Sequence, residues 1–499
     1  MITKNFSRLI RNFSKYNEHV NVEVKKPPIA TKADLSDINK KDLPLVKILQ
    51  DEILDKGPIT FSRYWDVALG HKEHGYYMKR DVFNTKGDFI TSVEISQMFG
   101  EILGIWVINL LQSIKAIDLS DQNPQIDKKR FSLLEFGPGR GTLMCDILKV
   151  LHQFDLLKGI EINFVEMSPF LKKLQQEQVM KVLEDRGIYL TYDNYNEQNT
   201  ENNEQEVQIL SNEDPDNYVK VRWFSTYEQM MYEDFGQYSL NPDGNPLDSK
   251  LNEKARKFQP APIAVIAHEF FDALPANIFQ YVEGKGWREK LVNIAHGNQE
   301  GKQFEFFTAD LENDNVKKIL NPQKSFEGKE QDVKDGDTFE IQPKSAVIAN
   351  AVSELIEKLN GGALFIDYGE NHAFSDSIRG IRKHMFVPQE ELLEYPGELD
   401  ISAYVNFAHI QAAANQVPGI TTAGPMPQGL FLESMGMNTR LENLLKLSNK
   451  QTAKRLESEY LRLVSPEEMG QVYKCFYIGK KINGDMFPFM SENAGNYYY

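Results

Sequence analysis

Cysteine is nearly absent from this chain of 499 residues: there are two, Cys145 and Cys475, and neither stands in a C-x-x-C spacing. That excludes a zinc ribbon, a dithiol redox motif and a disulfide framework, and leaves both as small hydrophobes. No metal site is expected. Long apolar runs are missing too. None approaches the ~18 residues needed to cross a bilayer, so no stable membrane insertion is expected. Basic charge is outnumbered, with 56 Lys and Arg against 72 Asp and Glu, a net charge of −16. Binding a phosphate backbone needs a basic surface, so nucleic acid is not expected as a partner. What is present is a 41% hydrophobic and 11% aromatic composition, enough for a substantial core and too apolar for general disorder.

The scarce positive charge is concentrated at the start. Met1 to Asn17 holds Lys4, Arg8, Arg11 and Lys15 and no acid, with Phe6, Leu9, Ile10 and Phe13 on one helical face. An acid-free, arginine-bearing amphipathic leader is the pattern of a mitochondrial presequence.

The chemistry centres on Ser132-Leu-Leu-Glu-Phe-Gly-Pro-Gly-Arg-Gly-Thr142. An apolar run ends at an acid, Glu135, and glycines follow at alternate positions, Gly137, Gly139 and Gly141. The spacing predicts a strand, a tight turn and a helix start, with backbone brought close to a nucleotide-like ligand. It is not the dinucleotide fingerprint, because the third glycine comes one residue early. S-adenosylmethionine carries a sulfonium and an amino acid rather than a pyrophosphate, and an acid at the strand tip suits its positive side. Leu143, Ile147, Leu148 and Leu151 then recur at helical spacing, with Asp146, Lys149 and His152 expected on another face. A second apolar run, Ile160 to Val165, ends at Glu166, and Ser168-Pro169 opens another helix. A carboxylate at about this distance past a glycine turn accepts hydrogen bonds from ribose hydroxyls.

Elsewhere the pattern predicts one helical stretch from Leu45 through Trp65 to about Leu69, and another from Met98 to Leu111. It predicts strands at Val219–Phe224, Ile263–Ala267 and Ala363–Ile366. A helix over Ser345–Leu359 is expected to end at Gly361-Gly362. The polar segment from Asp193 to Tyr218 reads as a low-complexity surface insertion, and Gln237 to Lys257 as a turn-rich loop. The expected organisation is a presequence over 1–17, a linker over 18–44, a covering region over 45–130, an α/β core over 131–370, an extension over 371–485 and a tail over 486–499.

Two further strand tips carry acids. Ile263-Ala-Val-Ile-Ala-His-Glu-Phe-Phe-Asp272 runs into His268, Glu269 and Asp272, and Phe365-Ile-Asp367-Tyr-Gly369 repeats the pattern. In a doubly wound sheet such tips line the ligand crevice. Two carboxylates there can hold a guanidinium by charge-assisted hydrogen bonds. For His268 a core role competes, for Asp272 a helix N-cap, and for Asp367 the shaping of its turn.

Phe131 to Arg140, His268 to Pro275 and Asp367 to Gly369 resemble the mitochondrial complex I assembly-factor methyltransferases. So do Gly57 to Thr60, Gly87 to Ser92, Glu94 to Gln97 and the tract to Trp106. Val93 stands where that family usually has proline. The resemblance implies a Rossmann-like class I methyltransferase sheet with an N-terminal helical extension and long insertions. It implies S-adenosylmethionine as cofactor, held by Glu135, Gly137, Gly139, Gly141 and Glu166. It implies symmetric dimethylation of a protein arginine on a core subunit of complex I in the matrix, and the strand-tip acids Glu269 and Asp272 are the expected catalytic pair. The alternatives are a non-catalytic assembly chaperone that keeps the fold, and a nicotinamide dehydrogenase, which the early third glycine disfavours.

Overall fold

A computed structural model describes residues 28–31, 33–38, 43–79, 91–119, 131–188, 205–210, 218–233, 261–296, 302–321, 333–481 and 486–490. The expected presequence and the loop over 237–257 lie outside them.

Its centre is a nine-stranded mixed sheet. In chain order its long strands are β1 (Ser132–Phe136), β2 (Ile160–Val165), β3 (Gln205–Leu210), β4 (Tyr218–Phe224), β5 (Ile263–His268), β6 (Gly361–Glu370), β7 (Ile420–Pro427) and β8 (Tyr473–Lys480). Across the sheet they run β7-β8-β6-β5-β1-β2-β4-β3, and the short strand Val405–Asn406 adds to β6. The strands from β6 to β4 are parallel, and β3, β7 and β8 pair antiparallel. Helices cover both faces of the sheet's centre, so β5 and Ala363–Ile366 of β6 are continuous apolar runs, whereas β2 carries Glu161 and Asn163 and β4 carries Lys220 and Arg222. Every residue of β1 and of β5 is buried.

On one face lie α3 (Gln97–Ser113), α4 (Thr142–Gln153) and α5 (Pro169–Glu184), following α1 (Pro44–Lys56) and α2 (Phe61–Gly70) in the chain. On the other lie α6 (Pro343–Leu359) and the helix Phe407–Ala414. Strand order reverses between β1 and β5, so the crevice for a ligand opens at their carboxyl ends.

A second sheet covers that edge. Ile59–Thr60, Asn277–Val282, Gly286–Ile294, Phe304–Thr308 and Thr338–Ile341 form five antiparallel strands. They share an apolar core with α1, α2 and residues 378–403. This sheet has no counterpart in the sequence reading.

Four local expectations change. The stretch from Leu45 to Leu69 is two helices, because Gly57 takes φ +84° and Pro58 lacks an N–H, so the chain turns into Ile59–Thr60. The helix before β6 ends at Asn360, with φ +63°, and Gly361 and Gly362 belong to the strand. The polar insertion contains β3, paired with β4 along its length. Asp146, expected on another face from the apolar stripe, is itself buried, because α3 packs on α4 there. Gly100 makes room for it: a Cβ there would lie 2.6 Å from Asp146 Cβ. Lys149 compensates the buried charge at 2.7 Å.

Candidate active site

The first half of the site is the turn after β1. Gly137, Gly139 and Gly141 take φ of +57°, +54° and +82°. The face of Phe270 closes on the turn, and a Cβ at Gly137 would come within 2.9 Å of its ring. Glu135 is buried at 3% exposure, and its Oε2 has no hydrogen-bond partner among the described residues. Burial pushes its pKa up to about 8, helped by the charge of Glu166.

Glu166 follows β2 and is also buried. Its Oε1 accepts the Ser168 N–H at 2.7 Å, and its Oε2 accepts from Gln175 Nε2 at 3.1 Å. Burial raises its pKa to about 7 against the pull of those two bonds. Ser168 caps α5 by accepting from the Leu171 N–H, with Pro169 at the first helical position. Its hydroxyl also donates to the Tyr77 carbonyl at 2.8 Å, so the covering region docks beside this acid.

Gln175 ties the two strand tips together. Its amide donates to the Gly139 carbonyl at 2.7 Å as well as to Glu166, and its Oε1 accepts from the Trp223 indole at 3.0 Å. Sequence reasoning missed it. The only signal was a polar residue on the buried side of α5, seven positions after the Ser168 cap.

The second half is the turn after β5. Glu269 takes φ +48°, a left-handed conformation that costs a residue with a Cβ. The next three N–H groups, of Phe270, Phe271 and Asp272, all donate to Asp367 Oδ2 at 3.2, 2.9 and 3.2 Å. Asp367 Oδ1 accepts the Tyr368 N–H at 2.9 Å. Asp367 is therefore the residue that shapes the turn. Burial holds its pKa well above the ordinary range, and the charge of Asp272 adds to that.

Asp272 caps no helix. Its Oδ2 accepts from the Tyr368 hydroxyl and from Ser402 Oγ, while its Oδ1 has no partner among the described residues. Burial pushes its pKa up to about 6; the Tyr368 bond opposes this and the Glu269 charge reinforces it. Glu269 Oε1 accepts the Ser92 N–H at 3.1 Å and lies 3.2 Å from His268 Nε2. Burial, and next the charge of nearby Glu269, hold the Tyr473 phenol well above its ordinary range. His268 packs on Phe99, with ring centres 5.0 Å apart. The sequence reading passed over Ser92, Tyr368 and Ser402 as partners of these acids. Tyr368 was readable beside Asp367; the others come from distant segments.

Residues 102–426 match the model of a family of S-adenosyl-L-methionine-dependent methyltransferases. The mitochondrial protein arginine methyltransferase NDUFAF7 homolog of Drosophila melanogaster is 32% identical over 432 residues, 86% of this chain and 83% of the relative. The chain belongs to this methyltransferase family. The mitochondrial protein arginine methyltransferase NDUFAF7 of Homo sapiens is 30% identical over 466 residues, 91% of this chain and 89% of the relative. Among solved structures, a COG1565 superfamily member from Burkholderia thailandensis, bound to S-adenosyl-homocysteine, superposes with a TM-score of 0.64 at 20% identity. That match covers 92% of this chain and 97% of the other, and it shows the shared fold.

The family's cofactor is S-adenosyl-L-methionine, and the curated relatives above are named as mitochondrial proteins. The residues present fit that cofactor. Glu135 offers a buried oxygen that no group among the described residues satisfies, beside a turn whose glycines leave the backbone bare. A buried acceptor of this kind is costly unless a ligand donor meets it. No helix of the described residues is long and apolar enough to cross a membrane.

Proposed function

We propose that this methyltransferase acts on arginine in a protein, with symmetric dimethylarginine as product and a core subunit of respiratory complex I in the matrix as substrate. The names of the curated relatives support the arginine, and the resemblance of the motifs supports the finer assignments. The observation that carries the reading is the pair Glu269 and Asp272. Two carboxylates stand at one strand tip, in contact with the glycine turn through Phe270, and the buried Asp272 Oδ1 has no hydrogen-bond partner among the described residues.

Glu135 holds the cofactor's ammonium, and Glu166 accepts from the ribose hydroxyls. Gly137, Gly139 and Gly141 admit the nucleoside side. The cofactor supplies an electrophilic methyl group on a sulfonium. Glu269 and Asp272 grip the guanidinium by hydrogen bonds and aim one nitrogen along the line of displacement. Once that nitrogen is alkylated it must lose a proton. Asp272, with a pKa raised to about 6 by burial, is close enough to neutrality to take it.

The test is mass spectrometry of matrix proteins from cells with and without the chain, using fragmentation that separates symmetric from asymmetric dimethylarginine. Asp272→Asn and Glu269→Gln keep the side-chain shape and are expected to retain S-adenosylmethionine. Turnover is expected to fall at least ~10²-fold if orientation is the main contribution. Methylation that survives both substitutions overturns the assignment of these acids. Loss of dimethylarginine with normal complex I assembly makes the chain chiefly a chaperone.

A further inference from the structure

Between the two halves of the site lies the four-residue helix Ser92–Ile95, and its two ends hold different halves. At one end, the buried Ser92 donates its N–H to Glu269 Oε1 at 3.1 Å, and its hydroxyl lies 3.5 Å from the same oxygen. At the other, Glu94 Oε1 accepts from the Thr142 hydroxyl at 2.7 Å, and Glu94 Oε2 lies 3.8 Å from the Arg140 guanidinium. Arg140 and Thr142 flank Gly141 of the cofactor turn. The helix is one closed turn, with the Glu94 and Ile95 N–H groups both bonded to the Thr91 carbonyl at 3.0 and 3.2 Å. It therefore moves as a unit. Glu269 sits on strained left-handed backbone, so the direction of its carboxylate depends on the groups that meet it: Ser92 and His268.

We propose that Ser92 and Glu94 form a positioning clasp, through which seating of the cofactor on the glycine turn sets the Glu269 carboxylate for the acceptor. The identity of the acceptor rests on the arginine reading above; the mechanical link does not. A ligand that settles residues 137–141 restrains Arg140 and Thr142. Glu94 holds both, one by a charge-assisted bond and one by an ion pair, so the short helix is restrained with them. The Ser92 N–H then has one place to stand, and Glu269 one direction to point. The cofactor should bind first, because an acceptor that arrives before it meets an acid that is not yet aimed. Linkage makes the effect reciprocal.

Hydrogen exchange on the full chain, with S-adenosylhomocysteine as probe, reads the link without any acceptor. In the wild type the probe is expected to slow exchange about 10-fold or more at Ser92 and at Phe270 to Asp272, as well as at the glycine turn. In Glu94→Ala the slowing is expected to stay at 137–142 and at the Phe270 segment, which touches the glycine turn directly, and to vanish at Ser92. Glu94→Gln keeps an acceptor for Thr142 and should restore most of it. If Glu94→Ala does not fold, Thr142→Val removes the same bond from the opposite side.

Ser92→Pro tests the other end. Proline suits the first helical position, and Thr91, with ψ 164°, already has the extended backbone that proline requires of its neighbour. The substitution removes the N–H that Glu269 accepts. KM for an arginine peptide is expected to rise about 10-fold, with the affinity for S-adenosylhomocysteine changed less than about 2-fold. Protection at Ser92 that is equal in Glu94→Ala, or that is absent at Ser92 in the wild type, overturns the clasp. A wild type that leaves arginine peptides unmethylated overturns the arginine reading instead, and the exchange result still decides the clasp.

Discussion

Glu166 and Gln175 show how much one buried side chain can carry. Glu166 spends one oxygen on the Ser168 N–H and shares the other with Gln175, and both bonds fix its orientation at the end of β2. Glu166→Ala is expected to weaken S-adenosylmethionine and S-adenosylhomocysteine equally, by about 1.5–3 kcal/mol, the range for a hydrogen bond to a charged group. Calorimetry with both ligands checks it, and unchanged affinity would make Glu166 an ordinary strand-end acid. Gln175→Leu fills similar space but strands the Gly139 carbonyl, one Glu166 oxygen and the Trp223 indole. Each orphan costs about 1–3 kcal/mol, so the variant should both unfold earlier in urea and bind cofactor less well. Glu135 and Glu166 stand out in the sequence because each closes an apolar run. Gln175 does not, because a lone polar residue on a helix resembles any solvated glutamine until the helix is packed.

Strands differ in how plainly the sequence announces them, and the reason is burial. β1, β5 and β6 are covered on both faces, so they read as apolar runs leading into acids, while β2 carries Glu161 and Asn163 and still closes on Phe164-Val165 before Glu166. The strand Gly286–Ile294 carries Arg288, Glu289 and Lys290 in succession and is only half buried, so it lacks that signature. Its partners lie far apart in the chain: Leu291 pairs with Thr60. The same distance hides much of the site. The acids at the strand tips were legible, but Asp272 is held by Ser402 and Glu269 by Ser92, and no spacing connects those segments. Gly361 shows a misreading with a physical cause. A glycine pair after a helix suggests a C-cap, yet Asn360 takes that role and Gly361 enters β6. There it lies against the Ile263 carbonyl, where any Cβ would collide with backbone that cannot move aside. Gly361→Ala is therefore expected to lower stability by about 2 kcal/mol or more, the scale of overpacking a rigid site. Urea unfolding that matches the wild type would show that β5 and β6 can separate there.

The whole molecule should lose stability as pH rises through neutrality, which is the reverse of a protein held by paired carboxylates. Glu135, Glu166 and Asp272 have pKa values raised to about 8, 7 and 6, each by burial first. In the unfolded chain these acids ionise near pH 4. Between that point and the raised values, the folded state binds more protons than the unfolded one, so stability falls with pH. The slope reaches about 1.4 kcal/mol per pH unit for each group still protonated in the fold. Above about pH 8 the contribution of all three is spent. The net charge of −16 also disfavours the compact state as protons leave, so the comparison that isolates the site is with Glu135→Gln. That variant should lose about 1.4 kcal/mol of slope per pH unit from about pH 5 to 8, leaving below about pH 7 only the slope that Glu166 and Asp272 supply and flattening the profile above it. Cofactor reverses the balance at Glu135, because an ammonium favours the ionised carboxylate. Binding at pH 7 should release a proton, and affinity should rise with pH until about 8. Calorimetry in buffers of different ionisation heat measures that release, and urea unfolding from pH 5 to 8.5 measures the stability. A ligand-free chain that grows more stable from pH 5 to 8, with no proton released on binding, would mean that Glu135 is already ionised in the fold. The buried oxygen that marks the cofactor site would then have lost its meaning.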